Sequence, residues 1–243
     1  MITSLAGYPQ IASQGILNES STALQTVGGY METADGRGFR YAKIGAVATV
    51  PGKVYQGVAL DATNMQPSGG LTPAAAAIGD TSVTISTSTT LALNLLAGGY
   101  MAVVVTPGQG YTYLIKGNTA TAGAAGAVVT LEDPIKIALT TSSRVIFAKH
   151  PYDGLVIEPG TPTAKIAGVP LAIITAAYFG WVQVRGACSV LFTGTGVAGK
   201  VVGSLTGGTS GSMAPAIAAT NIGGEHLATG ITTEYSLVYL TIG

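Results

Sequence analysis

The residues best suited to chemistry lie in the glycine-rich run Gly194-Thr195-Gly196-Val197-Ala198-Gly199-Lys200. It follows the apolar stretch Val190-Leu191-Phe192 and matches G-x-G-x-x-G. It also fills the opening positions of a P-loop. Phosphate binding would then require a Ser or Thr for Mg²⁺, and a helix whose first amides face the phosphates. The next residue is Val201, and Val202-Gly203-Ser204-Leu205-Thr206-Gly207-Gly208 does not read as a helix. A dinucleotide site needs an acidic residue about twenty positions on. Here the next acid is Glu225, and no βαβ pattern surrounds the run. The run is expected to be a hairpin loop.

The remaining candidates are isolated. His150 and His226 are the two histidines, and neither has a second His or a Cys at ligand spacing. His226 follows Glu225, and His150 precedes Asp153; both read as solvated loop residues. Cys188 is the one cysteine, so an internal disulfide is excluded, and its apolar run marks it as a small buried hydrophobe. Serines are abundant, but no G-x-S-x-G elbow accompanies a His and an acid. Tyr111 and Tyr113 have only Lys116 nearby, too little charge for a nucleic-acid stacking platform. They suit cross-strand packing or a subunit interface. The expectation is no catalytic residue, no cofactor-binding residue and no metal ligand: not an enzyme.

The elements that carry these residues read as β. Phe39 to Val50 and Lys53 to Leu60 are apolar runs around the turn Pro51-Gly52, where Pro presets φ and Gly permits positive φ. Ser82 to Thr87 alternates, Tyr100 to Thr106 is a buried-type run, and Tyr111 to Lys116 alternates again. Val128 to Leu131, Ile135 to Leu139 and Arg144 to Ala148 follow. Trp181 to Phe192 reads as one long strand or a bent pair near Gly186. Tyr235 to Ile242 is apolar on both faces, which predicts a strand buried centrally. Thr72-Pro73-Ala74-Ala75-Ala76-Ala77 fits a single capped helical turn. Many short strands between Gly/Pro turns predict an all-β fold, an antiparallel β-sandwich or barrel, in one or two β domains. The domain reading is an extended N-terminal arm over 1–40, a β domain over 41–149, and a C-terminal β domain over 150–243. Within it, 68–148 is also readable as an insertion into one β domain built from both flanks.

Charge bounds the partners. Only 9% of residues are charged and the net charge is zero, against about 25% charged in ordinary domains. Such a chain has no footprint for a phosphate backbone, so no nucleic acid is expected. It also has little charge to keep copies apart. Between Asp61 and Lys116 the only charge is Asp80, and after Lys200 only Glu225 and Glu234. Those two stretches are the expected partner-covered surface. Residues 166–184 are uncharged and nearly long enough to span a bilayer, but Gly168, Pro170, Gly180 and Gln183 favour buried strands joined by a turn. Met1 to Tyr8 lacks the basic and apolar regions of a secretory signal. An outer-membrane barrel, which would share the Gly/Thr/Tyr alternation, is therefore disfavoured. No membrane association is expected.

Several runs carry a resemblance. Gly180-Trp181-Val182-Gln183-Val184-Arg185-Gly186, Ala198-Gly199, Ile222-Gly223 and Ser236-Leu237-Val238-Tyr239-Leu240 resemble capsid decoration (cement) proteins of tailed bacteriophages. Phe39-Arg40-Tyr41-Ala42 with Pro51-Gly52-Lys53 is similar to phage virion proteins of the same kind. So is Tyr111 to Asn118 with His150-Pro151-Tyr152-Asp153-Gly154. The likeness covers most of residues 36–243 in style and motif order. It implies a protein made in the host cytoplasm that binds the outside of a phage head at capsomer junctions. The partners implied are the major capsid protein and further copies of itself, a trimer if the threefold lattice positions are used. The alternative within this class is a head fibre, a tail component or a surface-layer protein.

Overall fold

The computed structural model describes residues 14–242 apart from 64, 89, 123–124, 205–206 and 217–220, with only the backbone of Asn221. The first eight strands are β1 (Tyr30–Glu32), β2 (Gly38–Ile44), β3 (Tyr55–Gln56), β4 (Ser82–Ser86), β5 (Tyr100–Val105), β6 (Thr112–Asn118), β7 (Gly126–Leu131) and β8 (Arg144–Ala148). The rest are β9 (Asp153–Ile157), β10 (Ile166–Pro170), β11 (Phe179–Leu191), β12 (Val201–Ser204), β13 (Ala214–Pro215), β14 (Asn221–His226) and β15 (Tyr235–Thr241). No helix occurs among the described residues, and the fold is all-β. The chain divides into two compact units, one from residues 1–58 and 151–243, the other from 59–150. The chain thus crosses between units twice.

The first unit is organised by β11. One edge of its first half pairs with β2, from Phe179↔Lys43 to Arg185↔Gly38. The other edge pairs with β10 at Val182 and Gln183. β2 continues to β9 in parallel, β9 to β3, and β3 to β10. These pairings close a ring, β2–β9–β3–β10–β11, so the strands leave no free edge within it. Ala42, Ile44, Tyr55, Leu155, Ala167 and Val182 cluster as one buried core of these strands. The uncharged run 166–184 is here two antiparallel strands and their connection. No helix among the described residues is long and apolar enough to cross a membrane.

Beyond Gly186, whose φ is +88°, β11 leaves the ring and pairs with β15 along its second half. β15 then pairs with β14, β14 with β12, and β12 with β13. Val184, Cys188, Val190, Val202, Val238 and Leu240 form the core on one side of this extension. The strand predicted over Trp181–Phe192 is therefore a single bent strand. β15 lies centrally, as the sequence suggested, but its two faces differ. Ser236, Val238 and Leu240 are buried, whereas Tyr235, Leu237 and Tyr239 are exposed at 51%, 45% and 39%. Apolar residue types alone could not reveal that one face lacks a covering layer.

Residues 1–40 read as an arm. Residues 1–13 lie outside the described residues; from Gln14 onward the segment folds onto the first unit. The Gln14 side chain donates to the Asn18 and Phe179 carbonyls. Ser20 bridges Phe179, and β1 pairs with β2. Met31, Phe39, Tyr41 and Trp181 form a buried aromatic cluster beneath this segment.

The second unit is an antiparallel sheet in the order β4-β7-β6-β5-β8. Burial alternates along β4 and along β6 as far as Gly117, and the inward residues make one core from Met65 to Phe147. Residues 71–74 seal it. Leu71 exchanges backbone hydrogen bonds with Val145 of β8, while Ala74 and Thr72 bond Thr84 and Ser86 of β4. The predicted helical turn at 72–77 is replaced by this extended segment. Its backbone groups satisfy both sheet edges, and that gain outweighs the helix propensity of four alanines in a segment too short to nucleate a helix. Tyr113 is buried in the core and stacks on exposed Tyr111, 6.3 Å between centroids.

Candidate functional site

The glycine run 194–200 connects β11 to β12, and β12 begins directly at Val201. Four of its seven amides are already committed. Gly194 N–H donates to Thr232 Oγ1 at 2.7 Å. Gly196 donates to the Gly230 carbonyl at 2.9 Å and Gly199 to the His226 carbonyl at 2.8 Å. Lys200 donates to the Val197 carbonyl at 3.1 Å. A phosphate cradle needs these donors free and convergent; here they tie the loop to β14 and the segment after it, and because β15 and β14 lie between β11 and β12 in the sheet, the expected hairpin loop is instead a crossover connection. The glycines serve close approach. A Cβ on Gly196 would sit 2.1 Å from His226 Nε2.

His226 is thus not a solvated loop residue. It is 2% exposed, stacked edge-on against Phe192 at 4.3 Å, with Nδ1 3.3 Å from Ser236 Oγ. Nε2 makes no hydrogen bond. Burial lowers its pKa, opposed by the Ala228 backbone. The structure brings Ser and His together without any sequence signal for it. Both side chains are buried. Because the folded pKa is lowered, the neutral ring contributes stability above its ordinary pKa, and this is lost as pH falls through the folded value.

His150 lies in the other unit, half-buried against Gly98. Cys188 is buried, and burial pushes its thiol up to about 12, which leaves no thiolate near neutral pH. Among the described residues, no three His, Cys, Asp or Glu side chains converge as metal ligands.

Glu158 escaped the sequence reading. It follows β9, is 1% exposed, and its Oε1 has no hydrogen-bond partner. Burial raises its pKa, opposed by the backbone amides of Gly160 and Gly211. A raised folded pKa means the fold favours the protonated acid. Stability from this group is full below the ordinary carboxylate range and is lost as pH rises through the folded value. Glu158→Gln is therefore expected to stabilise the protein at pH 8 by on the order of 1 kcal/mol. The advantage should vanish toward pH 4. Urea midpoints at both pH values check this; a larger loss at pH 8 than at pH 4 would show that the amides hold the carboxylate charged. A lone acid after the apolar run Leu155-Val156-Ile157 was the available signal.

The most extensive feature is a surface. β11, β15, β14 and β12 present one outward face. Ala187, Tyr239, Glu225 and Val201 form one cross-strand row. Ser189 and Leu237 continue in the next, where Leu227 N–H donates to the Leu237 carbonyl. All are exposed. Much of this face comes from the charge-poor stretch after Lys200. The protein is thus an all-β molecule whose sheet offers an open, largely apolar face. Comparison with protein-family models, with curated proteins and with solved structures returned no match.

Proposed function

We propose that this chain is a structural virion protein that binds the outer surface of a phage head and stabilises the junctions between capsomers. The observation that carries this reading is the outward face of β11, β15, β14 and β12, where Tyr235, Leu237, Tyr239 and Leu227 stand exposed around a single acid, Glu225. Apolar side chains collected on one flat sheet face are what a protein–protein contact uses. The resemblance to decoration proteins, carried partly by the β15 residues Ser236 to Leu240, supports the same reading. So does the low charge, which offers copies on a lattice little mutual repulsion. Touching several capsid subunits at once would multiply weak contacts into firm attachment. The partners are the major capsid protein and further copies of the chain, and the reading requires no cofactor. Quantitative mass spectrometry of purified virions encoding this protein is expected to find it at a copy number comparable to the major capsid protein. Its absence from the particles would refute the proposal.

A further inference from the structure

The outward face has a charge pattern that selects its occupant. On these four strands the charged outward residues are Arg185 on β11 and Glu225 on β14. They stand one strand to either side of β15 and one cross-strand row apart, since Arg185 is opposite Thr241 and Glu225 opposite Tyr239. Between them runs the exposed column Tyr235, Leu237, Tyr239. A two-fold axis along β15 lays β14 of each copy over β11 of the other. Each Glu225 then faces the partner's Ala187–Arg185 segment, about 7 Å of strand that the arginine side chain can span. Leu237 lies over Leu237 of the partner subunit. The face is therefore complementary to itself in both charge and apolar content.

We infer that this face binds a second copy of the chain, sheet on sheet, about a two-fold axis along β15. Aligned packing of two twisted sheets places them about 10 Å apart, with side chains interdigitating. The five half-exposed residues Tyr235, Leu237, Tyr239, Leu227 and Val201 leave on the order of 400 Å² of apolar surface per copy. With the flanking Ala187, Ser189, Arg185 and Glu225, this approaches the ~800 Å² per partner of a standard interface. Arg185 lies 3.5 Å from Glu32 and also meets the Tyr30 and Tyr239 hydroxyls, and its side chain remains 53% exposed to an approaching carboxylate. A two-fold contact makes dimers, so the assembly expected in solution differs from the trimer that lattice positions suggest. The inference deepens the structural reading above by naming the surface through which copies meet.

The test is light scattering and cysteine cross-linking of the purified full chain. The wild type is expected to be a dimer at micromolar concentration, and Leu237→Glu a folded monomer, with dimer affinity lowered at least a hundredfold. Glu225→Lys should weaken the dimer about tenfold. Leu237→Cys should be joined into a covalent dimer by a short bis-maleimide, because α-carbons on sheets about 10 Å apart are beyond the reach of a direct disulfide. Ile173→Cys, exposed in the loop between β10 and β11, should not, and buried Cys188 should not interfere. A monomeric wild type, or a dimer unaffected by Leu237→Glu and not cross-linked through Leu237→Cys, overturns the inference. A chain found on virions but monomeric in solution would sink this contact alone. A dimer from a chain absent from virions would sink the decoration reading alone.

Discussion

Replacing Trp181 by alanine is expected to destabilise the protein by about 3–5 kcal/mol. The chain's single tryptophan is 3% exposed, with its ring 5.0 Å from that of Tyr41 at an interplanar angle of 63°. Its Nε1–H donates to the Gln14 carbonyl at 2.9 Å. Tyr41 Oη in turn donates to Gln14 Oε1 at 2.8 Å. Truncation therefore opens a cavity in the aromatic cluster and leaves a buried carbonyl without its donor. Both losses fall on the contact that fastens the segment after Gln14 to β11. Circular dichroism in urea reads the stability, and hydrogen exchange at residues 14–20 reads the local release. Trp181→Phe keeps most of the packing and loses the donor, so it should cost about 1–2 kcal/mol. A cost below 1 kcal/mol for the alanine variant would mean that this segment contributes little to the fold.

The second large effect is expected at Gly196. Alanine there places Cβ 2.1 Å from His226 Nε2. The ring cannot yield easily, because it is buried against Phe192 and beside Ser236. Overpacking of this kind costs about 1–3 kcal/mol, and here the loop amide bond to Gly230 is also at stake. Gly196→Ala should therefore lower stability by about 2–3 kcal/mol. If the glycine exists for the histidine, His226→Ala makes room. The double variant should then be more stable than the sum of the two single losses predicts, by on the order of 1 kcal/mol. Strict additivity would break this link between loop and ring. A P-loop account predicts something else, a change in nucleotide affinity with little change in fold stability.

Where a strand has one wet and one buried face, the sequence was explicit. Ser82 to Ser86 and Thr112 to Lys116 alternate in type and alternate in burial. The long strand ending at Leu191 was legible for the same reason, and Gly186 marked its bend. Apolar residues on both faces were ambiguous. Tyr235, Leu237 and Tyr239 match a buried strand by type, but nothing local records that no second layer covers them. Strand length was less legible. The run Lys53 to Leu60 read as β, but only Tyr55 and Gln56 form β3, because that is where β9 and β10 pair with it. The 72–77 segment was misread because its extended course is set by backbone bonds to β4 and, from neighbouring Leu71, to Val145 of β8, far away in sequence. The site followed the same division. Gly194 to Lys200 failed as a phosphate loop on its own residues, whereas its seat on His226 was visible only once β14 and β15 were in place. Glu158 was a lone acid in an apolar stretch; its burial depends on a loop fifty residues on, around Gly211.

Electron microscopy of the virion that encodes this chain, with the chain located in the density, tests the central claim most directly. The account predicts two-unit β density on the outer surface of the head, seated at junctions between capsomers, with the face of β11, β15, β14 and β12 covered by protein. Density for this chain confined to the tail, or a head surface without it, would contradict the account.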